Sequence, residues 1–239
     1  MNAQSASKLD NPVWYALSET HRDLAIDFGD IKFYQPDYCP FGGFTAPGEM
    51  AVPISEYAAL AGSFFIIGDK PALPEGYVIK NELVCLQMVA SHKIDVEIRD
   101  DITGLTEEHA QALFALVNLV QPGYFKNKTA LLGSYYGIFK NGELVAVTGE
   151  RMKMDEFTEV SAVCTHPAHV GNGYAKQLVA HTANQIFAQQ KTPCLHVVES
   201  NPGAIRLYER LGFKTRRKMS FWSIGAEVFL NNFGNQVFN

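Results

Sequence analysis

The segment from Glu159 to Leu178 constrains the fold of this chain most strongly. It reads EVSAVCTHPAHVGNGYAKQL, an apolar run followed by a short turn that contains Gly171 and Gly173. The residues after the turn place apolar side chains at helical spacing, namely Ala175, Leu178, Val179 and Ile186. This order predicts a strand, a glycine turn and a helix, whose first N–H groups and partial positive charge suit a phosphate.

The 239 residues divide into two parts of different character. Residues 1–95 are rich in proline and glycine, and their short strand-like runs at 62–67, 77–79 and 83–88 predict a small β-rich or α/β domain. Residues 96–239 are more regular and predict a second, α/β domain that holds the glycine turn.

Local signals place further elements around the glycine turn. Residues 93–99 are expected to form a strand, and a helix is expected from Thr106, as N-cap, to Gln121. Asn141-Gly142 separates two apolar runs and predicts a β-hairpin, since both residues tolerate positive φ. Asn201-Pro202 predicts the start of another helix, with a left-handed end at Gly212.

Composition excludes several classes of protein. A formal net charge of -5 argues against a nucleic-acid partner, and the basic run at 214–218 is expected to be a solvated strand face. The four cysteines form no Cys-x-x-Cys pair, which indicates reduced, buried thiols. Neither a signal peptide nor a membrane-spanning run is visible, so we expect a cytoplasmic protein without a membrane partner.

The sequence offers little support for a metal site. His166 and His169 form an H-x-x-H pair, but the further ligands that zinc requires do not follow nearby. We therefore expect no bound metal and interpret His166, which precedes a proline, as a residue that shapes the turn.

Two segments together resemble a known family. Residues 163–178 resemble motif A of the GNAT superfamily of acetyltransferases, and residues 201–213, NPGAIRLYERLGF, look like its motif B. The GERM strand at 149–152 and the VCTHP approach to the turn are similar to those of its FR47-like group. The resemblance implies an α/β fold with a mixed, mostly antiparallel twisted sheet flanked by helices. Residues 1–95 would then be a smaller and degenerate GNAT-like half.

The resemblance also implies that acetyl-CoA is the cofactor. Main-chain groups of Val163 and Thr165 would pair with the pantetheine arm, and Asn201 would contact it. Backbone N–H groups of the turn would hold the diphosphate, in the stretch Val170, Gly171, Asn172, Gly173, Tyr174 and Ala175. Val170 departs from the family pattern, which has Gln or Arg at that position.

Two catalytic residues follow from the same resemblance. Tyr208 would be the general acid for the leaving sulfur, with a core tyrosine as the alternative because it lies on an apolar helical stripe. Glu159 would be the general base, with a structural glutamate as the alternative and Glu150, or a water relay, as the second choice. Strict alternation would put Glu159, Ser161, Val163 and Thr165 on one face of their strand.

The resulting hypothesis is an N-acetyltransferase. It would move an acetyl group from acetyl-CoA to a primary amine of a small molecule or peptide by direct attack in a ternary complex. The alternative is a non-catalytic module that binds or senses acyl-CoA. A nicotinamide dehydrogenase is disfavoured, because the turn lacks the third glycine of a dinucleotide fingerprint.

Overall fold

The computed structural model describes residues 6–46 and 50–227. The described residues form one sheet of eleven strands in the spatial order β1-β2-β3-β4-β11-β5-β10-β9-β8-β7-β6. The strands are β1 Ala25–Asp27, β2 Ile31–Tyr34, β3 Phe41–Phe44, β4 Phe64–Ile67, β5 Tyr77–Ala90, β6 Ile102–Gly104, β7 Tyr135–Lys140, β8 Glu143–Lys153, β9 Phe157–Thr165, β10 Thr192–Val198 and β11 Phe213–Ala226. The α-helices are α1 Pro12–Ser18, α2 Ala51–Ala61, α3 Ala110–Val120, α4 Tyr174–Ala188 and α5 Pro202–Arg210.

Neighbouring strands run antiparallel except for two pairs. The β3–β4 and β9–β10 pairs are parallel, while the remaining ladders are antiparallel. Helices α4 and α5 bury their apolar sides against β5, β10 and β11, and α3 packs against β7 and β8. The expected fold class, an α/β protein with a mixed and mostly antiparallel sheet, is therefore confirmed.

The predictions for the β-hairpin and for both ends of the helix that begins at Asn201-Pro202 are confirmed, whereas Thr106 precedes a short 3-10 turn and His109 is the N-cap of α3. Asn141 and Gly142 connect β7 to β8 with φ of 52° and 83°. The Asn201 side chain accepts a hydrogen bond from the backbone N–H of Ala204 at 3.1 Å, as an N-cap does. Gly212 ends the α5 region with φ of 87°. A capping side chain at one end and a left-handed glycine at the other thus fix the helix that carries Tyr208.

The predicted strand at residues 93–99 is wrong. This segment has no strand partner in the part of the chain that the structure describes, and it lies along α4, where two side-chain amides bind its main chain. Asn184 bonds both main-chain groups of Ile94 at 2.9 Å, and Gln177 accepts the N–H of Arg99 at 2.7 Å. Helix side chains satisfy the backbone groups here in place of a neighbouring strand.

The prediction of two separate strand-like runs at 77–79 and 83–88 is also wrong. The runs at 77–79 and 83–88 belong to a single strand, β5, that continues through the exposed residues Lys80 to Glu82. It pairs with β11 along its whole length, from Tyr77 opposite Ala226 to Ala90 opposite Phe213. Long-range pairing therefore overrides the polar sequence in the middle of β5.

Strand β11 lies between β4 and β5, so that the sheet continues across the middle of the chain. One cluster of buried side chains combines Tyr34 and Phe41 with Met152, Phe157 and Phe221. The division into domains at residues 1–95 and 96–239 stays a prediction.

Candidate active site

A cavity opens where β9 and β10 separate. The two strands pair only from Phe157–Glu159 and Thr192–Cys194, and no ladder joins them beyond that point. The space between them has a volume of about 320 Å³. Its near walls consist of Val160, Ala162 and Val163 of β9, Leu195 to Val198 of β10, and Asn201, Ala204 and Tyr208. Across from these, Phe41, Leu83, Cys85, Gln121, Tyr124, Arg151 and Phe221 complete the lining.

A bulge in β9 shapes this cavity. Ala162 has φ of 49°, a conformation that costs a residue other than glycine about 1 kcal/mol or more. Ser161 pairs with Gly149 while Cys164 pairs with Val147, so β9 carries one residue more than β8 between these positions. The predicted alternation is therefore wrong beyond Ser161, because Cys164 rather than Val163 follows it on the same side of the strand. The bulge leaves Ala162 and Val163 lining the cavity.

Tyr208 presents an unpaired hydroxyl to the cavity. The residue is 7% exposed, and within residues 6–46 and 50–227 only burial and the nearby Cys164 thiol act on its hydroxyl, with no hydrogen bond to another group. Burial raises the pKa of Tyr208 to about 12, so the hydroxyl keeps its proton at neutral pH. By contrast, the buried Tyr57 hydroxyl donates to the Tyr34 carbonyl at 2.8 Å. Tyr208 thus has a donor hydroxyl without a partner among the described residues.

The glycine turn lies at the N-terminus of α4. Gly171 and Gly173 have φ of 93° and 77°, and a side chain built at either would meet no atom within 4 Å. Gly173 is the N-cap, and no side chain caps the helix. The first N–H groups of α4 are therefore not capped by a side chain of the described residues, an arrangement that suits a phosphate. Val170 is 70% exposed beside them, and Asn172 donates to the His169 carbonyl at 2.9 Å.

Glu159 lies behind the cavity wall in an ion pair. Its carboxylate accepts hydrogen bonds from Nε and Nη2 of Arg151, each at 2.7 Å, and is 1% exposed. Burial by itself would raise the pKa of Glu159, but the charge and hydrogen bonds of Arg151, with the hydrogen bond from His196, lower it to about 2. A carboxylate with so low a pKa is a poor base, because it binds a proton weakly.

His196 is held on both ring nitrogens. Nδ1 lies 2.8 Å from Glu159 Oε1, and Nε2 lies 3.0 Å from Nε2 of Gln87. Gln87 also donates to the Leu9 carbonyl and accepts from Arg216, which fixes the orientation of its amide. The amide therefore donates to His196 Nε2, and the ring proton is assigned to Nδ1, where it meets Glu159.

The structure brings together part of the predicted site. Val163, Asn201 and Tyr208 line the cavity, while Glu159 does not. The remaining predicted cofactor residues lie along the end of β9 and the turn: Thr165, Val170, Gly171, Asn172, Gly173, Tyr174 and Ala175. Glu150, the second choice of base, is fully buried, contacts Lys153 at 2.6 Å and accepts from the Ser134 N–H.

Two residues of the site were missed from the sequence. Arg151 could have been found, since it opposes Glu159 across adjacent strands of one sheet and carries the opposite charge. His196 reaches Glu159 from β10, which a long helix separates from β9 along the chain. No local signal gives the register of such a parallel pair.

The described residues also bear on metal binding and on membrane insertion. Over residues 6–46 and 50–227, no group of three or more His, Cys, Asp and Glu side chains could hold a metal ion. His166 instead accepts the N–H of Ala168 at 3.2 Å through Nδ1. Among the helices of the described part of the chain, none is long and apolar enough to cross a membrane.

Comparison with known proteins gives consistent results. The family described as FR47-like protein matches residues 135–223. A crystal structure of a protein assigned to the GNAT family of acetyltransferases, from Novosphingobium aromaticivorans, is 33% identical with a TM-score of 0.85, over 92% of this chain and 99% of that one. No curated protein matches the chain in sequence.

More distant solved structures share the fold. A GCN5-related N-acetyltransferase from Kribbella flavida is 18% identical with a TM-score of 0.57, over 90% of this chain and 96% of its own. A GCN5-related N-acetyltransferase-like protein from Streptococcus suis is 13% identical with a TM-score of 0.59, over 92% and 97%.

Proposed function

Because this chain belongs to the GNAT family of acetyltransferases, in its FR47-like group, we propose that it transfers an acetyl group from acetyl-CoA to a primary amine of a small molecule or peptide. The observation that carries the proposal is the cavity between β9 and β10, which Tyr208 lines. The glycine turn at the start of α4 supplies open N–H groups at the end of the same strand, β9.

The donor is proposed to lie between the separated strands. N–H groups of Gly171, Gly173, Tyr174 and Ala175 would hold the diphosphate, with Val170 and Asn172 flanking it. The edges of β9 and β10 that face each other have no ladder beyond Glu159 and Cys194, so main-chain groups near Val163 and Thr165 are available to the pantetheine arm. Asn201 lines the cavity and would contact that arm as well.

When bound, acetyl-CoA supplies an activated acyl group in the form of a thioester. The proposed role of Tyr208 is to deliver its Oη proton to the departing sulfur. The cavity also contains Cys85, but burial raises the pKa of this thiol to about 12. A protonated thiol is a weak nucleophile, which favours direct attack by the amine over an acyl-cysteine intermediate.

We propose that Glu159 is a positioning residue rather than the general base. Its pKa of about 2 and its burial leave it without access to the amine. It holds Arg151 and His196 in fixed orientations instead. Among the described residues that line the cavity there is no carboxylate, so the amine is proposed to lose its proton to water.

One observation favours the alternative of an acyl-CoA-binding or sensing module. Val170 is exposed beside the glycine turn. The family pattern has a polar or charged side chain at this position, which would strengthen binding of the diphosphate. Weak donor binding without turnover would follow if that contact were essential.

The test combines calorimetry with a turnover assay. Acetyl-CoA is titrated into the protein, and release of CoA is then followed with a thiol-reactive dye across a panel of primary amines. Binding with amine-dependent release supports the transferase, and binding without release from any amine supports the sensing module. The absence of binding heat would contradict both.

A pair of variants locates the donor site. Gly173→Val introduces a β-branched residue at φ of 77° in the turn, and Gly142→Val does the same at φ of 83° in the β7–β8 hairpin. Both are expected to lower the melting temperature, whereas only Gly173→Val is expected to weaken acetyl-CoA binding. Equal binding by the two variants would remove the glycine turn from the site.

A further inference from the structure

The charges that line the cavity have one sign. Arg151 is the only arginine or lysine among the described residues that line it, and no carboxylate does. The other polar side chains of the lining are Gln121, Tyr124, His196, Asn201 and Tyr208. The Glu159 side chain is 1% exposed and bonded to Arg151 and His196, so its negative charge does not reach the cavity. A substrate that enters as a bare ammonium ion therefore meets a cation and no anion.

Arg151 retains donors that face the cavity. A guanidinium has five N–H donors, and Glu159 occupies the side formed by Nε and Nη2. The end formed by Nη1 and the second N–H of Nη2 has no partner in the part of the chain that the structure describes. The side chain is 17% exposed and lines the cavity. A fork of donors thus remains open toward a ligand.

The orientation of this fork is fixed before any ligand arrives. The Phe41 ring lies 4.7 Å from the guanidinium carbon, and Glu159 holds the side edge with two hydrogen bonds. Burial would lower the pKa of Arg151, but the charge of Glu159 and its hydrogen bonds raise it overall, so the group stays charged. A fixed and charged fork matches the two oxygens of a carboxylate.

We propose that the acceptor amine carries its own carboxylate, as a free amino acid does, and that Arg151 binds this carboxylate. The inference rests on the proposed transferase function. Arg151, on β8, lies over the Phe41 ring, which in turn contacts Phe221, whereas Tyr208, on α5, belongs to a different cluster of buried side chains that contains Phe213. A carboxylate on the Arg151 fork would direct the amine of the same small molecule toward the space in front of Tyr208. The volume of about 320 Å³ is shared with the end of the donor, which restricts the acceptor to a small molecule.

The experiment compares matched acceptors that differ only in charge. Initial rates are measured with acetyl-CoA for alanine against alaninamide and for phenylalanine against phenylalaninamide, each at the pH that gives equal concentrations of neutral amine. We expect kcat/KM to be about 10- to 100-fold higher for the acids, the effect of one charge-assisted hydrogen-bonded contact. Equal values for acid and amide would overturn the inference and leave the transferase intact.

Arg151→Lys tests the residue itself. Lysine keeps the charge that Glu159 needs but lacks the fork, so the preference for the acid is expected to shrink to a few-fold. An undiminished preference in a variant with a native circular dichroism spectrum would overturn the role of Arg151. If the variant fails to fold, the wild-type comparisons decide.

Calorimetry gives a readout that does not depend on turnover. N-acetylalanine and N-acetylalaninamide are titrated into the wild-type protein without donor, and the acid is expected to bind at least about tenfold more tightly. This arm remains decisive if no amine is acetylated, a result that would refute the transferase but not the carboxylate site. Equal binding of the two compounds would refute the carboxylate site.

A final arm separates acceptor from donor. If Arg151 instead recognised an acidic acyl group, succinyl-CoA would be preferred over butanoyl-CoA, and Arg151→Lys would abolish that preference. This outcome would assign the fork to the donor and overturn the inference. Equal use of both donors, or preference for butanoyl-CoA, supports the assignment to the acceptor.

Discussion

Replacing Tyr208 with phenylalanine removes a hydroxyl that has no partner among the residues the structure describes. The ring stays against Phe213, with centroids 6.1 Å apart, so packing is retained. No intramolecular hydrogen bond of the described residues is lost either, and the free energy of unfolding is expected to change by less than about 0.5 kcal/mol. The variant therefore isolates proton delivery from stability.

The expected loss of rate follows from the environment of the proton. In water a thiol has a pKa of about 8.5, and a tyrosine at about 12 would donate to its thiolate uphill by roughly 5 kcal/mol. Within the cavity, however, burial raises the pKa of the Cys85 thiol to about 12 as well. A departing thiolate that is desolvated to the same degree would match Tyr208, so the transfer becomes nearly even. We expect Tyr208→Phe to lower kcat by about 10²–10⁴-fold, or roughly 3–5 kcal/mol in the barrier.

The assay is release of CoA at saturating donor and acceptor, with Tyr57→Phe as the control. Tyr57 is also a buried tyrosine, but its hydroxyl donates to a backbone carbonyl and does not face the cavity. That variant should lose about 1 kcal/mol of stability and little kcat. If Tyr208→Phe keeps kcat within a factor of two, or changes only KM for acetyl-CoA, Tyr208 is not the general acid.

Three further predictions concern the framework of the site. Glu159 has a folded pKa below its unfolded one, so its stabilisation is present above about pH 4.5 and is lost as the pH falls toward 2. Glu159→Gln should therefore be less stable than wild type by about 3 kcal/mol in urea at pH 7, with the difference vanishing near pH 2, and a pH-independent difference would contradict the ion pair. Asn201→Ala removes the N-cap of α5 and should cost about 1 kcal/mol in thermal unfolding, unlike Asn201→Asp, which keeps an acceptor. Ala162→Gly should be neutral or stabilising by up to about 1 kcal/mol, since glycine adopts φ of 49° without strain, whereas Ala162→Val should destabilise, and the opposite order would refute the bulge.

The elements whose determinants are local could be predicted from the sequence. Asn141-Gly142, Asn201 and Gly212 each fix a turn or a helix end through their own backbone or side chain, and all three appear as expected. The strand prediction for residues 93–99 is wrong because Gln177 and Asn184, which lie far along the chain, take the place of a strand partner. The predicted extent of β5 is wrong because pairing with β11 extends the strand through residues 80–82, whose polar side chains do not indicate a strand.

The site follows the same division. Tyr208 and the glycine turn lie within short motifs, and the structure places them around the cavity and at the end of β9. The chemical character of Glu159 could not be read from β9 alone, because Arg151 and His196 come from different strands and together set its pKa. The bulge at Ala162 likewise has no signal in the neighbouring sequence, yet it changes which side chains face the cavity.

The position of β11 has a consequence for biosynthesis. Residues 64–67 emerge from the ribosome about 150 residues before the strand that must be inserted beside them, and β5 waits almost as long for the same partner. Until then both have open edges that a second nascent chain could pair with. Shielding by a holdase chaperone during translation would therefore matter more for this protein than for one whose sheet forms in chain order.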